Sequence, residues 1–276
     1  MKIKFKHMKS IVITGTSSGI GKATAKYFAA KGWKVAATMR KPENETELKQ
    51  MENIYLYALN VADEGSVNRV TEQIIHDFGK IDVVVNNAGY DLMGAFEAAT
   101  SRQIQQQFDV NVFGLMNVTR AFLPHFRINK SGMFVNISSL SGLVTFPFNS
   151  LYHSSKWAVE GFSESLAYEL ETLGIQVKLI EPGAVETNFH NSSMDIAKKE
   201  GLTDYDEKLA TFIKNRSAAP SGSLSAEQLS EAIFGAVTDE KQQLRYLIGT
   251  KAEQLVGMRK AKGEDAYMSQ IKQFLS

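Results

Sequence analysis

Thr14-Gly-Thr-Ser-Ser-Gly-Ile-Gly21 is the stretch that decides how the rest of the chain is read. It follows the apolar run Ser10–Thr14 and opens an amphipathic pattern, Ile20–Lys31, that stops at Gly32. A glycine in such a turn lets the chain reverse, and a second lets the backbone approach a pyrophosphate. Gly21 lets helix and strand pack closely. The start of the helix then offers free N–H groups and the positive end of its dipole. Gly15, Ser17, Ser18, Gly19, Ile20 and Gly21 are therefore the candidate phosphate-binding residues.

Outward from this turn, short β-rich apolar runs alternate with helical patterns. The runs are Ser10–Thr14, Lys34–Met39, Ile54–Leu59, Ile81–Val85, Met133–Ile137, Gln176–Glu181 and Leu244–Ile248. Glu64–Phe78 and Trp157–Leu173 read as helices ended by Gly79 and Gly174. Thr100 to Gln103 forms a capping box that opens a long helix toward Pro124. Strands without polar alternation, joined by helices, imply a parallel sheet covered on both faces. With right-handed crossovers this predicts an α/β fold: a Rossmann-type, doubly wound sheet of about seven strands in a single domain. Residues 188–224 show no strand pattern and are expected to form a substrate lid. Helices near Ala226–Thr238 and Lys251–Lys262, within 226–275, complete the domain.

Composition narrows the function. Of 276 residues, 31 are Lys or Arg and 30 are Asp or Glu, a net charge of +1 that leaves no electrostatic footprint for nucleic acid or an acidic membrane. The absence of cysteine excludes a disulfide framework, thiol catalysis, Cys-ligated zinc and iron–sulfur clusters. The five histidines show no metal-ligand spacing, so no metal is expected. The basic start Met1–Lys9 is followed by a strand rather than the apolar core of a signal peptide. No run is long enough to cross a membrane. A cytoplasmic location is expected.

The turn, Asn86-Asn-Ala-Gly89, Asn111, Ser139 with Tyr152-x-x-x-Lys156, and Pro182-Gly183 occur in this order. Together they resemble the compact, single-domain branch of the short-chain dehydrogenase/reductase family, over residues 10 to about 250. Within it, the stretch Gly142–Leu166 is most similar to hydroxysteroid- and retinol-type members and their bacterial relatives. Tyr152 and Lys156 are four apart in a helical stretch and so share one face. Hydride transfer at a carbonyl carbon needs a proton exchanged at the oxygen. A free tyrosine has a pKa near ~10. An ammonium about 4 Å away is worth on the order of 4 kcal/mol at an effective dielectric near 20. Lys156 is thus expected to draw the Tyr152 phenol toward neutrality, needing only to stay charged itself.

Family spacing selects Ser139, rather than Ser138 or Ser141, to polarise the substrate oxygen. The resemblance gives Asn111 the role of kinking its helix and holding a water beside the lysine. It places Asn87, Ala88 and Gly89 along the adenosine side of the cofactor. Pro182, Gly183, Val185 and Thr187 fall at the nicotinamide carboxamide. At the adenine position the family's usual Asp-Val is replaced by Asn60-Val61, whose amide oxygen can still accept a hydrogen bond. Asp63 reads more simply as a helix N-cap.

The second strand ends in Met39-Arg40-Lys41, with no carboxylate before Glu43. An acid there would take a ribose 2′-hydroxyl, whereas Arg40 suits a 2′-phosphate. NADP(H) is favoured over NAD, although Ser17-Ser18 stand where many NADP enzymes carry a base. Apolar stretches at Tyr90–Phe96 and Leu143–Phe148, with Phe189, Met194 and Phe212, suggest a lipophilic ketone, aldehyde or secondary alcohol as substrate. The alternatives are a nicotinamide-binding sensor without turnover and a dehydratase or epimerase of the same superfamily. By resemblance a homodimer or homotetramer is expected, paired through the helix of Tyr152.

Overall fold

A computed structural model of the protein describes residues 8–186, 194–218 and 223–276. The chain opens with β1 (Ser10–Thr14), α1 (Gly19–Ala30), β2 (Lys34–Met39), β3 (Ile54–Ala58), α2 (Glu64–Phe78) and β4 (Val83–Asn86). A short β5 (Asp91–Met93) leads to α3 (Ser101–Phe108), a π-helical turn over Asp109–Gly114 and α4 (Leu115–Asn129). Then come β6 (Gly132–Ile137), α5 (Ser150–Glu171), β7 (Ile175–Pro182), β8 (Val185–Glu186) and β9 (Met194–Ile196). The chain ends with α6 (Asp206–Ala218), β10 (Leu224–Ser225), α7 (Ala226–Thr238), β11 (Arg245–Ile248) and α8 (Thr250–Lys272). Among the described residues no helix is long and apolar enough to cross a membrane.

Seven parallel strands make one sheet in the order β11-β7-β6-β4-β1-β2-β3. Its strands are continuous apolar runs because both faces are covered. Ile11 and Ile13, with Val35, Ala37, Val83 and Val85, point to one face and pack against Phe28 of α1 and Ile233 of α7. Val12, Ala36, Val84 and Phe134 point to the other, against Ile74 of α2, Phe122 of α4 and Leu166 of α5. β1 lies between β2 and β4, so the crossovers diverge there and open a crevice at the C-terminal ends of the strands.

The Thr100 capping box forms as expected, and Asp63 caps α2 through Ser66 N (3.0 Å). α2 stops at Gly79, whose φ of 73° suits a residue without Cβ. Four expectations need correction. Pro124 does not end its helix: α4 runs on to Asn129, because Pro costs one backbone donor in a helix anchored by Phe122 and Phe126. The Tyr152 helix starts at Ser150, seven residues before the expected Trp157. The segment expected to hold no strand carries β9, paired with β5, and β10, paired with β8, besides helix α6. Strands of two or three residues leave no periodicity to read; partner edges create them. Finally, α8 continues to Lys272 across a kink at Gly263 (φ 83°).

Candidate active site

The glycine turn is held from the side of β4. Thr14 Oγ1 accepts from the backbone N–H groups of Asn87 and Ala88, both at 3.0 Å. Asn87 Nδ2 in turn donates to the carbonyls of Thr14 (2.8 Å) and Gly15 (3.0 Å). Gly15 has φ 73°, and a Cβ there would stand 2.8 Å from Ala88 Cα. A Cβ on Gly21 would stand 2.4 Å from both Asn87 Nδ2 and the Gly15 carbonyl oxygen. These are close approaches that only glycine allows. Ser18 precedes α1 without capping it, and no acid lies in the first turn, so the leading N–H groups keep their capacity for an anion. This donor set, with Ser17, Gly19 and Ile20 in the same turn, fits a dinucleotide's phosphates.

Around this turn, Arg40 is exposed at the end of β2 and no described residue pairs with its guanidinium. Asn60 is exposed, its Oδ1 accepting from Ala62 N at 3.3 Å. Val61 is buried against Gly114. Gly89 lies under Asn111. Pro182 and Gly183 stand beside Ile248 at the end of β7, where Gly183 N donates to the Ile248 carbonyl (2.9 Å), and Val185 follows in β8. Thr187 and Phe189 lie outside the described residues.

Ser139 follows β6 and accepts from Ser141 N at 3.1 Å. Its hydroxyl stands close enough to the Tyr152 phenol to favour the ionised form. Lys156, one turn further along α5, is buried; its Nζ donates to the Ile137 carbonyl at 2.8 Å and lies 5.7 Å from the Tyr152 ring centre. The site thus joins three of the expected residues. The electrostatics differ from expectation. Burial pushes the Tyr152 phenol well above its ordinary pKa and the charge of Asp91 adds to this, while Ser139 and Arg216 oppose it. Burial also pushes Lys156 down to about 8, against the charges of Glu160 and Asp91. The ammonium is directed to a carbonyl rather than to the phenol oxygen, so the phenol stays protonated.

Asn111 sits in the π-helical turn, an interruption of the α-helical hydrogen-bond pattern at the position where the resemblance implies a kink. Its Oδ1 accepts from Tyr90 N (3.0 Å), and its Nδ2 donates to the Tyr90 carbonyl (2.9 Å) and Ser155 Oγ (3.2 Å). It ties the loop after Gly89 to the helix of Tyr152 and Lys156.

Two groups were not picked out in the sequence. His153 bridges the substrate loop, its Nε2 accepting from Phe146 N and its Nδ1–H donating to the Ser141 carbonyl, both at 2.8 Å. Asp91 is a buried carboxylate bonded to Asn149 Nδ2 at 2.9 Å. Its only sequence signal is a charge inside the apolar stretch Tyr90–Phe96. Of the residues expected to line a pocket, Leu92, Met93, Val144 and Phe212 are buried in packing, whereas Tyr90, Leu143, Phe146, Phe148 and Met194 stay half-buried.

The family model for the short chain dehydrogenase matches residues 9–197. An uncharacterized oxidoreductase of Schizosaccharomyces pombe is 37% identical over 236 residues, covering 83% of this chain and 95% of its own. The 3-ketodihydrosphingosine reductase of Bacteroides thetaiotaomicron is 33% identical over 252 residues, 91% of each chain. The NADPH-dependent 3-dehydrocapnine reductase of Ornithobacterium rhinotracheale is 32% identical, covering 88% of this chain and 89% of its own. A solved short-chain dehydrogenase from Streptomyces avermitilis superposes with a TM-score of 0.82 at 33% identity, covering 96% of this chain and 97% of that one. Solved structures of the same fold hold NADP and NAD. By its matched segment, its relatives and its Ser139, Tyr152 and Lys156 geometry, the chain belongs to the short-chain dehydrogenase/reductase family of oxidoreductases.

Proposed function

We propose that the chain is an NADP(H)-dependent carbonyl reductase that interconverts a lipophilic ketone and its secondary alcohol. The observation that carries this reading is the half-buried Tyr152 phenol beside Ser139, with Lys156 one turn away and its Nζ 5.7 Å from the ring centre; desolvation favours the protonated phenol. A protonated phenol is the acid that reduction needs at neutral pH. The hydride itself is the chemistry that a reduced nicotinamide supplies when bound. Ser139 donates to the carbonyl oxygen and stabilises the charge that grows there. Tyr152 then gives its proton to that oxygen, and Lys156 holds positive charge beneath the phenolate left behind. Asn111 fixes the loop and helix that carry these groups.

Gly15, Ser17, Ser18, Gly19, Ile20 and Gly21 would hold the phosphates, with Arg40 on the 2′-phosphate. Asn60, Val61, Asn87, Ala88 and Gly89 would flank adenosine, and Pro182, Gly183, Val185 and Thr187 the carboxamide. The unpaired Arg40 favours NADP(H), and a 32% identical relative is NADPH-dependent by name. The half-buried apolar loops and a relative named for a 3-keto sphingoid substrate support a lipophilic ketone. The segment from 188 to 224, with α6, serves as the lid.

The test is NADPH oxidation, followed by absorbance, against long-chain ketones, including 3-ketodihydrosphingosine. Turnover supports the reading; tight NADPH binding without turnover of any ketone overturns it in favour of a sensor. We also propose self-association as a homodimer or homotetramer through α5, which exposes Trp157 and Tyr168. Sedimentation at micromolar concentration should give a species of at least twice the chain mass.

A further inference from the structure

One turn beyond Lys156 on α5 stands a second buried charge, Glu160, which is 5% exposed. Glu181, on β7, is 1% exposed and lies beside it. The Arg245 guanidinium of β11 serves both: Nη2 is 3.2 Å from Glu160 Oε2, and Nε is 3.3 Å from Glu181 Oε1. Nη2 also meets Glu164 Oε2, one turn further along α5, at 2.8 Å. One cation thus answers three carboxylates, two of them buried. No described residue donates a hydrogen bond to either oxygen of Glu160 or to Oε1 of Glu181.

Two buried carboxylates that share one guanidinium cannot both ionise cheaply. Burial, then the charge of Glu160, pushes the Glu181 carboxyl far above its ordinary range, against Arg245 and Lys260 of α8. Burial raises Glu160 as well, but Ser138 and Arg245 oppose the rise. The pair therefore keeps one proton at neutral pH, on the Glu181 side. Lys156 is the second cation near Glu160. Its Nζ sits on the Ile137 carbonyl at 2.8 Å, while the Glu160 carboxylate reaches the next residue of the same strand end. A Cβ on Gly142 would stand 2.9 Å from Ser138 Oγ and 3.0 Å from Glu160 Oε1. Both side chains thus leave one face of α5 and meet consecutive residues after β6. Against burial, the charge of Glu160 supports the Lys156 ammonium more than that of Asp91 does.

We infer that Glu160 is the positioning residue for the Lys156 charge: Glu181 takes the one proton of the pair, and the Glu160 carboxylate, left ionised, keeps the lysine one turn back an ammonium. The consequence for turnover rests on the carbonyl reductase reading, in which Lys156 must stay charged beneath the phenolate. A lysine this buried sheds its proton readily unless an anion is fixed nearby. Arg245 supplies the fixing, since it favours the ionised form of Glu160 from the far side of the cluster.

The experiment follows the Lys156 ε-carbon by carbon-13 NMR in the full chain, labelled at lysine and assigned with Lys156→Arg, and reads its titration midpoint. Wild type should titrate at about 8. Glu160→Gln should lower the midpoint by about one pH unit, the effect of one nearby charge under partial screening, and Glu160→Asp should restore most of it. Glu181→Gln keeps that residue uncharged and should leave the midpoint in place. Both Gln variants take a buried carboxyl away from Arg245, so a purely structural role would move both alike. An unmoved midpoint in Glu160→Gln, or equal movement in the two variants, would overturn the inference. If Glu160→Gln does not fold, wild type labelled at the glutamate carboxyl carbons still decides. One carboxyl of the pair should be protonated at pH 7 and the other ionised; any other count overturns the inference. In turnover, the alkaline limb of kcat/KM should follow the Lys156 midpoint from variant to variant. A chain that reduces no ketone, with the midpoint shifts intact, would remove the reductase reading and leave Glu160 in its role.

Discussion

On the side of the glycine turn, contacts run between the ends of the neighbouring strands β1 and β4, where the Thr14 hydroxyl and the Asn87 amide each bind backbone atoms of the other strand's end. On the substrate side, the loop after β6 is held by side chains projecting from two helices, α5 and α8. His153 spans it, Arg259 Nη1 donates to the Leu143 carbonyl at 2.7 Å, and Tyr267 meets Thr145 from 122 residues away. One wall is fixed by the fold of the sheet; the other is assembled by individual polar contacts. The first is suited to a constant ligand and the second to a variable one.

Removing the proton donor between the walls should have the largest effect. Tyr152→Phe keeps the ring and its packing but loses the transferable proton. Turnover should fall by about 10²- to 10⁴-fold, the range for general acid–base catalysis. NADPH affinity, measured by fluorescence titration, should hardly change, because the glycine turn does not touch the phenol. A variant with near-normal turnover would end the assignment of Tyr152 as the acid.

The glycine turn was legible in the sequence because its geometry admits a single residue type. A Cβ on Gly15 or Gly21 would collide with Ala88 or Asn87, so no other residue type would serve. The apolar strands were legible for the same kind of reason: burial on two faces leaves one composition. The substrate side was legible only in outline. Asp91 and Asn149 are 58 residues apart, and nothing in either neighbourhood announces the other. β9 and β10 exist through their partners, not their propensities. The direction of the Tyr152 pKa was misread because spacing gives proximity to Lys156 but says nothing about burial.

Asp91 offers the next largest effect, this time on stability. Its folded pKa of about 6 lies above the ordinary carboxylate value of 3.8. The folded state therefore holds the proton longer than the unfolded state. Stability from this group is full below the unfolded value and is lost as pH rises through the folded one. Relative to Asp91→Asn, wild type should lose about 2–3 kcal/mol between roughly pH 4 and 6.5. Parallel denaturant curves across that window would show it. A constant difference at all pH values would mean that Asp91 is not the buried, ionising group described.

On the cofactor wall, Arg40→Ala should weaken NADPH roughly ten- to a hundred-fold, since the guanidinium is free to meet a 2′-phosphate. NADH, which lacks that phosphate, should bind nearly as before. Lys41 stands next in the chain and softens the effect without reversing its sign. Equal losses for both cofactors would place Arg40 in the fold or against adenine, and the NADP(H) preference would be withdrawn.

The smallest effect expected is on the far wall. Tyr267 is 1% exposed, and its phenol accepts from Thr145 N at 2.6 Å while donating to the Thr145 carbonyl. Arg259 lies 4.9 Å from its ring centre. Tyr267→Phe leaves ring and packing in place but strands an N–H and a carbonyl of the substrate loop. The half-buried position of that loop lets water replace part of the loss, so stability should fall by about 1 kcal/mol, the usual net worth of one such bond. The loop carries Phe146 and Phe148, so KM for the ketone should rise a few-fold while kcat and NADPH affinity stay level. A lower melting temperature with unchanged KM would show that the contact supports the fold alone. The difference between the walls would then lie in how each is built and not in what each binds.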